Sequence, residues 1–541
     1  MEDRRMKCCT DPTGIWKEVN RGKEYNDAID LYETVKKNEA FYIGDQWRNL
    51  AAKTPDLLLV QINFLQRVCS MFVAKVASED FGANFTSFLD SEEEAAKMRM
   101  IADQVEQVIE NTDLKRQDKV HVRDAVVDGD TCCYFWWDPD APTGQEASGA
   151  IRTENVENMN VLFGNPHDAR VERQPYVILL LRKPVREVKE EALCNGIPMD
   201  QVIRIKPDAD YNLEEAGSQD KLCTVAVKLW KEKDGSVWCV KSTQQCLVRD
   251  VWDTGLTRYP IAWMSWDKIR NSYHGRSAMT GLIPNQIALN TTYSSVLTQI
   301  RNTGFNKVIY SDAIGKWNPS PSAAIKVNGA IDVSKVATVL QGAGVNPTIT
   351  NVMDSLMTMT RENMGASEAS MGNLNPKNVT ATAIIALQNA DNVPMELHRQ
   401  EYYAFVEQQL RVIIDMMRAY YGTRTVMITM PDPRTGAATR VQTEFDFSTL
   451  TDENYKVRVD VGTASYYSET LQVETLNNLF TSGILDKPEQ ASLFLDVMPD
   501  KYVPHKQKLL DYAKKKKAEQ EAQQEQMAAV QNNGQMPGMG M

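Results

Sequence analysis

Cysteine and histidine are scarce in this chain, at nine and five among 541 residues. A small disulfide-stapled scaffold needs a far denser supply. Two cysteine pairs, Cys8-Cys9 and Cys132-Cys133, are adjacent, whereas zinc ligands normally stand about two to four residues apart. Cys239 and Cys246 have no neighbouring histidine, and His121, His167, His274, His398 and His505 follow no metal-binding spacing. Structural or surface roles are expected for all of them, with no metal and no cofactor. The phosphate-binding loop, the dinucleotide fingerprint and the nucleophile elbow are also missing, and no carboxylate pair is marked out among the 72 acids. No catalytic residue is expected. Long apolar runs are absent as well. The longest, Val177–Leu181, falls far short of the ~20 residues of a membrane span. The start, Met1-Glu-Asp-Arg-Arg, has no apolar stretch of the signal-peptide kind, which leads us to expect the cytoplasm in which the chain is made. Positive charge is in deficit: 60 Lys and Arg against 72 Asp and Glu give −12. That balance argues against coating nucleic acid by global charge.

What is present suits a core-forming protein, with 43% hydrophobic and 24% charged residues and a length for roughly two to four packed units. The spacing predicts a helix over 24–47 that runs into Phe41-Tyr-Ile-Gly-Asp-Gln-Trp47, with Gly44 as its stop. A second helix is expected over Ile62–Val76, and a third from the N-cap Ser91 to about Asn111. The run Ala125 to Asp138 holds Asp128-Gly129 between β-prone stretches and reads as a hairpin. Strands are expected at Asn160–Phe163, Tyr176–Leu181, Thr224–Trp230 and Val237–Ser242, and a loop at Asp200–Asp220. The N-terminal half therefore reads as helices packed on a strand-rich α+β body.

Helical periodicity returns from about Arg276, with Ile283, Ile287, Val296, Leu297 and Ile300 near one stripe and Pro284 in the first turn. An insert follows over 306–345, with β-prone Lys307–Tyr310 and Ile325–Val327. The next helix, near Ile349–Met364, aligns Met353, Leu356, Met357, Thr360 and Met364, methionines that serve best as adaptable core filler. The longest pattern runs from Thr380 to about Tyr421, with Val406, Leu410, Ile413, Ile414, Met417, Tyr420 and Tyr421 as its apolar face. Pro394 inside it lacks an N–H for residue 390 and predicts a kink. A helix of that length suggests an element bracing a larger assembly. Strands near Thr425–Met430 and Tyr455–Val461, helices near Ser468–Thr481 and Pro488–Leu495, and a charged helix containing Lys514–Lys517 complete the chain, ahead of a Gln-, Met- and Gly-rich tail expected to be disordered.

Charge is unevenly distributed. Residues 268–390 carry ten basic and five acidic side chains, and Lys268–Ser311 contains no acid at all. Chance and helix packing would account for this; so would approach to polyphosphate or to other copies of the same segment. An excess this mild would touch DNA without gripping it.

Several stretches resemble, in order, those of the portal (head-to-tail connector) proteins of tailed double-stranded-DNA bacteriophages. They are the Phe41–Trp47 patch, Asp124-Ala-Val-Val-Asp-Gly-Asp130 through Trp137-Asp138, Val156 to Phe163 with Asn165-Pro166 and Tyr176-Val177, and Tyr273-His-Gly-Arg-Ser277 followed by Ile283-Pro-Asn-Gln286 and Asn290. The resemblance covers roughly Tyr25 to Ala513. It implies an α+β, multidomain portal-like subunit with an α/β wing, a two-helix stem, a strand-containing clip, a long kinked wing helix and a helical crown. The implied boundaries are wing 1–277, stem helices 278–303 and 350–366, clip 304–349, tunnel loop 367–380, long helix and remaining wing 381–464, crown 465–517 and tail 518–541. It also implies a non-enzymatic ring, usually of twelve copies, at one capsid vertex of the virion, assembled in the host bacterial cytoplasm. Double-stranded DNA would pass along the axis during packaging and ejection. The expected partners are the chain itself, the terminase large subunit, head–tail adaptor or tail proteins and the major capsid protein, with no membrane. Asn373, Asn375, Lys377, Asn378 and Arg301 are the candidates for facing DNA, and Lys307, Lys316, Trp317 and Lys326 for docking at the clip. Two other classes compete with this reading: a nucleic-acid-processing enzyme with a carboxylate metal site, which magnesium-dependent nuclease or ATPase activity would reveal, and another capsid-associated adaptor or scaffold.

Overall fold

The computed structural model describes residues 9–47, 58–77, 81–87, 92–144, 147–208, 221–303, 307–310, 332, 337–340, 347–363, 381–431, 438–450 and 455–461. The chain divides into two compact units, Met1–Ser78 with Ala83–Val459 and Glu79–Gly82 with Asp460–Met541. All but a few described residues belong to the first. The expected helices near 468–481 and 488–495, the charged helix, the tail, the 325–327 strand and the segment 367–380 lie outside the described residues.

The first helix, α1 (Pro12–Ala28), is started by Asp11, whose carboxylate accepts from Gly14 N at 3.0 Å, with Pro12 in the first turn. The single helix read over 24–47 is two helices. Asp30, at φ 55°, breaks the path between α1 and α2 (Leu31–Ile43), and Gly44, at φ 100°, ends α2 where the sequence placed the stop. Then come α3 (Phe64–Val76), β1 (Phe81–Ser87), α4 (Glu92–Asn111) and α5 (Leu114–Asp128). The hairpin expected around Asp128-Gly129 does not form. Gly129 sits at φ 101° as the C-cap of α5, its N–H bonded to Ala125 O at 3.0 Å, and the chain leaves it as β2 (Asp130–Asp138). Asp-Gly serves a helix end as readily as a type I′ turn, because both need a positive φ at glycine.

β2 is the central strand of a three-stranded antiparallel sheet, flanked by β3 (Ala150–Val156) and β9 (Ile261–Ser265). A second sheet is an antiparallel meander in sequence order: β4 (Val161–Phe163), β5 (Tyr176–Pro184), β6 (Leu222–Lys231), β7 (Val237–Ser242) and β8 (Leu247–Asp253). Both of its faces are covered. On one, Ile15 and Val19 of α1 pack on Leu162, Ile178, Leu180, Ala226 and Val240. On the other, Val188 and Ala192 of α6 (Val185–Cys194) and Val202 of α7 (Met199–Val202) pack on Val225 and Val248. The apolar run Val177–Leu181 is buried for that reason.

Beyond β9 the chain forms α8 (Ile283–Thr303), β10 (Lys307–Tyr310) paired antiparallel with β11 (Ala337–Leu340), α9 (Pro347–Asn363) and the 40-residue α10 (Ala381–Tyr420), about 60 Å long. Pro394 falls within α10. β12 (Thr423–Pro431) and β13 (Ala438–Asp446) then form a hairpin, and β14 (Tyr455–Val461) follows. α10 buries Val406, Leu410, Ile413, Ile414 and Met417, as its periodicity predicted; Tyr420 at its end is half-buried, and Tyr421, just beyond it, is buried. α8 departs from its predicted stripe. Ile283 is buried, but Ile287, Val296 and Leu297 are only half-buried and Ile300 is exposed, whereas Gln286, Asn290 and Ser294 are buried. The segment packed on α8 offers backbone N–H groups, and these select a polar face.

Candidate functional site

The stretches that carry the family resemblance lie far apart in sequence and meet in two polar nodes. The first is built on Asp130, the residue after the α5 C-cap. Its Oδ2 is 2.9 Å from His274 Nδ1, and its Oδ1 accepts from Gly275 N at 2.7 Å. His274 Nε2 is 3.2 Å from Asn26 Oδ1 on α1. Tyr273 donates through its hydroxyl to Val161 O at 3.0 Å and stacks on Phe163, with ring centroids 4.6 Å apart. Tyr273 N donates to Pro166 O at 3.0 Å. Ser277 Oγ donates to Val126 O at 3.0 Å, and Asn38 of α2 donates to Val127 O at 2.8 Å and to Thr280 Oγ1 at 2.9 Å. One node thus ties α1, α2, the end of α5, β2, β4 and the turn leading into α8. Asp130, His274, Asn26, Asn38 and Ser277 are all buried, so their polar groups depend on partners within the protein; Asn38 Oδ1 alone among their side-chain atoms finds none.

Gly275 is small because it must be. A Cβ there would stand 2.7 Å from Ser265 Cβ and 2.8 Å from Asp267 O. The loop passes so close to β9 that Asp267 and Arg276 exchange backbone hydrogen bonds at 3.3 and 2.8 Å.

The second node joins the Phe41–Trp47 patch to α8. Gln46 is buried; its Nε2 donates to Phe41 O and Asn63 Oδ1, both at 3.1 Å, and its Oε1 accepts from Asn290 Nδ2. Trp47 Nε1 donates to Val60 O at 3.1 Å. Along α8, four side chains spaced by four residues accept from the backbone of residues 58–65. Thr298 Oγ1 takes Leu58 N at 2.9 Å, Ser294 Oγ takes Val60 N at 3.0 Å, Asn290 Oδ1 takes Ile62 N at 3.2 Å and Gln286 Oε1 takes Leu65 N at 3.2 Å.

A cleft of about 830 Å³ opens beside the first node between α2, α5 and β3. Its lining includes Glu33, Glu39, Asp124, Asp128 and Glu157, with Arg123 paired to Glu39 and to Asp124. Burial, reinforced by Asp124, pushes the Asp128 carboxyl up to about 7. Among the described residues no group of three or more His, Cys, Asp or Glu side chains is placed to hold a metal ion. Cys132 and Cys133 are buried on β2, and burial pushes the thiols of Cys69 and Cys239 up to about 12, the environment of inert core cysteines.

Arg301 lies exposed in the last turn of α8, and Lys307 opens β10 opposite Leu340. Asn373, Asn375, Lys377, Asn378, Lys316, Trp317 and Lys326 lie outside the described residues. Asn26, Asn38, Ser294 and Thr298 were not singled out from the sequence. The only available hint was the four-residue spacing from Gln286 to Thr298, which otherwise reads as a solvated helix face.

Helices and antiparallel sheets tied at polar nodes, with a helix–hairpin–helix–long-helix order after β9, define a protein of mixed α and β class. Residues 171–541, more than half of the chain, match the family described as phage P22-like portal protein, and the chain belongs to that family. Its members are the head-to-tail connectors of bacteriophages, structural proteins that serve genome packaging. No curated protein matches the chain. No helix among the described residues is long and apolar enough to cross a membrane.

Proposed function

We propose that this chain is the repeating subunit of a closed ring at one capsid vertex, through whose axis double-stranded DNA is packaged and later ejected. The family match over residues 171–541 carries the reading. The element order supports it: α8 and α9 stand as the two stem helices, the β10–β11 pair as the clip between them, and α10 as the long wing helix. In that arrangement the wing comprises 1–277 and 381–464, the tunnel loop 367–380 and the crown 465–517. Closed cyclic symmetry requires two different surfaces that meet head to tail, and an acid-free run over Lys268–Ser311 lets neighbouring copies and DNA approach without carboxylate repulsion.

Asn373, Asn375, Lys377, Asn378 and Arg301 face the passing DNA in this reading. The loop holds one lysine per copy, so each ring of lysines attracts phosphates weakly and lets them slide, since tight binding recruits many Lys and Arg contacts. Lys307, Lys316, Trp317 and Lys326 serve the clip, where the terminase large subunit docks during packaging and a head–tail adaptor or tail protein later. The major capsid protein surrounds the ring. Electron microscopy of the purified full-length protein tests the reading: rings with a central hole are expected, and a monodisperse monomer at high concentration overturns it.

A further inference from the structure

We propose that residues 58–63 form a strap that laces α8 to the helical layer and opens as a unit while α8 itself stays folded. The strap belongs to no helix and has no partner strand among the described residues. Three of its N–H groups, on Leu58, Val60 and Ile62, point to α8 at intervals of two residues and meet side chains spaced by four. Four helical residues rise about 6.0 Å, and two extended residues advance about 6.6 Å. The two periods agree closely enough for a few rungs, then drift apart. The lacing stops where the drift would tell, because the chain turns into α3 after Asn63. There Gln286 accepts the N–H of Leu65, one of the first-turn donors that a helix cannot satisfy internally.

Two features make the strap separable. Every rung joins a helix side chain to a strap backbone group, so opening breaks none of the backbone hydrogen bonds of α8. The strap also buries little of its own. Leu58, Val60 and Ile62 are half-buried and Leu59 and Gln61 exposed, whereas α3 immediately after it buries Phe64, Leu65, Val68, Cys69 and Phe72. Segments with few buried apolar groups occupy the low-stability end of a fold. One feature makes the opening concerted. Gln286, Asn290 and Ser294 are buried as acceptors, and a partly opened strap would leave some of them dry and unpaired, the costliest arrangement. The strap and the Asn290–Gln46 contact hold α8 along its length. α8 is also attached through its buried Ile283 and Leu289 and through the turn over 278–282, where Ala278 N bonds Val126 O at 3.1 Å. Opening therefore removes the polar lacing of α8, to which α9 is bonded through Asn285 and Thr360 at 3.1 Å, and leaves its buried apolar contacts and that turn in place.

Amide hydrogen exchange on the full-length protein, followed by mass spectrometry at peptide resolution, tests this. In the unaltered protein, amides of 58–63 should exchange together and at least about tenfold faster than those in the middle of α8 and α3. Asn290→Leu with Ser294→Ala should speed exchange in the strap about tenfold again and leave α8 protected. Thr298→Val removes only the outermost rung, from a half-buried side chain, and should act on Leu58 alone. Ser294→Thr, which keeps the acceptor, should preserve protection. The proposal is overturned if α8 loses protection in step with the strap, or if the rung-deleting variants leave strap exchange unchanged.

Discussion

Asp130 and His274, 144 residues apart, meet at 2.9 Å between carboxylate and ring nitrogen with both side chains buried. The second oxygen of Asp130 holds the next backbone N–H, that of Gly275, at 2.7 Å. One carboxylate thus fixes two consecutive residues of the loop that feeds α8. Replacing Asp130 by alanine leaves a buried ring N–H without an acceptor, worth about 1–3 kcal/mol, and a half-buried backbone N–H that costs less. Urea unfolding of Asp130→Ala should show a midpoint lowered accordingly with an unchanged slope, and Asp130→Asn should lose less because one acceptor oxygen survives. Equal losses for the two variants would argue that packing, not acceptance, is what the residue supplies.

Gly275 and Gly281 lie close together on the path into α8 and should respond very differently to alanine. At Gly275 the added carbon meets Ser265 Cβ and the Asp267 carbonyl, neither of which can swing aside. A cost of about 1–3 kcal/mol is expected, as for other overpacked sites. At Gly281 the nearest atom is Arg276 Nη2 at 2.9 Å, the free end of a flexible side chain, and the change should stay within about 0.5 kcal/mol. Thermal melts of the two variants side by side make the comparison.

Much of the fold was legible where one period dominated. The pattern over 380–421 predicts one helix and α10 spans Ala381–Tyr420; Val237–Ser242, Lys307–Tyr310 and Tyr455–Val461 predict the strands that form. Strands β3, with Arg152, Thr153, Glu154 and Asn155, and β13, with Thr439, Arg440, Gln442 and Glu444, were missed because their residues are polar and their pairing partners supply the reason they are extended. α5 was missed because its charged residues break the apolar stripe, and its end was mistaken for a turn at Gly129. The nodes were half legible. The stretches containing Asp130, Tyr273–Ser277, Gln46 and Asn290 stood out, but nothing in a sequence says that they touch. The α8 ladder could not be read, since its partners are backbone N–H groups, which every residue but proline carries.

Lys228 is fully buried on the five-stranded sheet, with its ammonium 2.5 Å from Glu18 Oε2 and 2.8 Å from Cys9 O. Tyr176 offers its ring face 5.0 Å away. Glu18→Ala would leave the ammonium without its counter-charge in the core, a loss of about 3–5 kcal/mol by analogy with other broken buried pairs. Combining Lys228→Met with Glu18→Leu removes both charges while keeping apolar volume, and should recover most of that loss. A double-mutant cycle by chemical denaturation measures the recovery, and additive losses would show that the pair is not coupled.

Asp118 sits on α5 with its side chain fully buried, 2.9 Å from Gln409 Nε2 and 3.4 Å from the Tyr402 hydroxyl of α10. Burial outweighs these two bonds and pushes its carboxyl from 3.8 up to about 7. The folded protein therefore holds a proton on Asp118 that the unfolded chain releases near pH 4. Its contribution to stability falls as pH rises from about 4 to about 7 and stays lost above that. His121, one turn further along, works in the other direction. Burial pushes its ring down to about 4, so its contribution is present at neutral pH and fades as pH falls from 6.5 through 4. In the unaltered protein the two slopes oppose each other between pH 4 and 6.5. Asp118→Asn removes one of them. The variant should match the parent near pH 4 and exceed it above pH 7 by up to roughly 4 kcal/mol, the equivalent of about three pKa units. Denaturation curves of both proteins at half-unit pH steps decide it, because groups common to the two, Asp128 included, cancel in the difference. A difference independent of pH would mean that Asp118 is ionised in the fold and that its seam with α10 is held by charge after all.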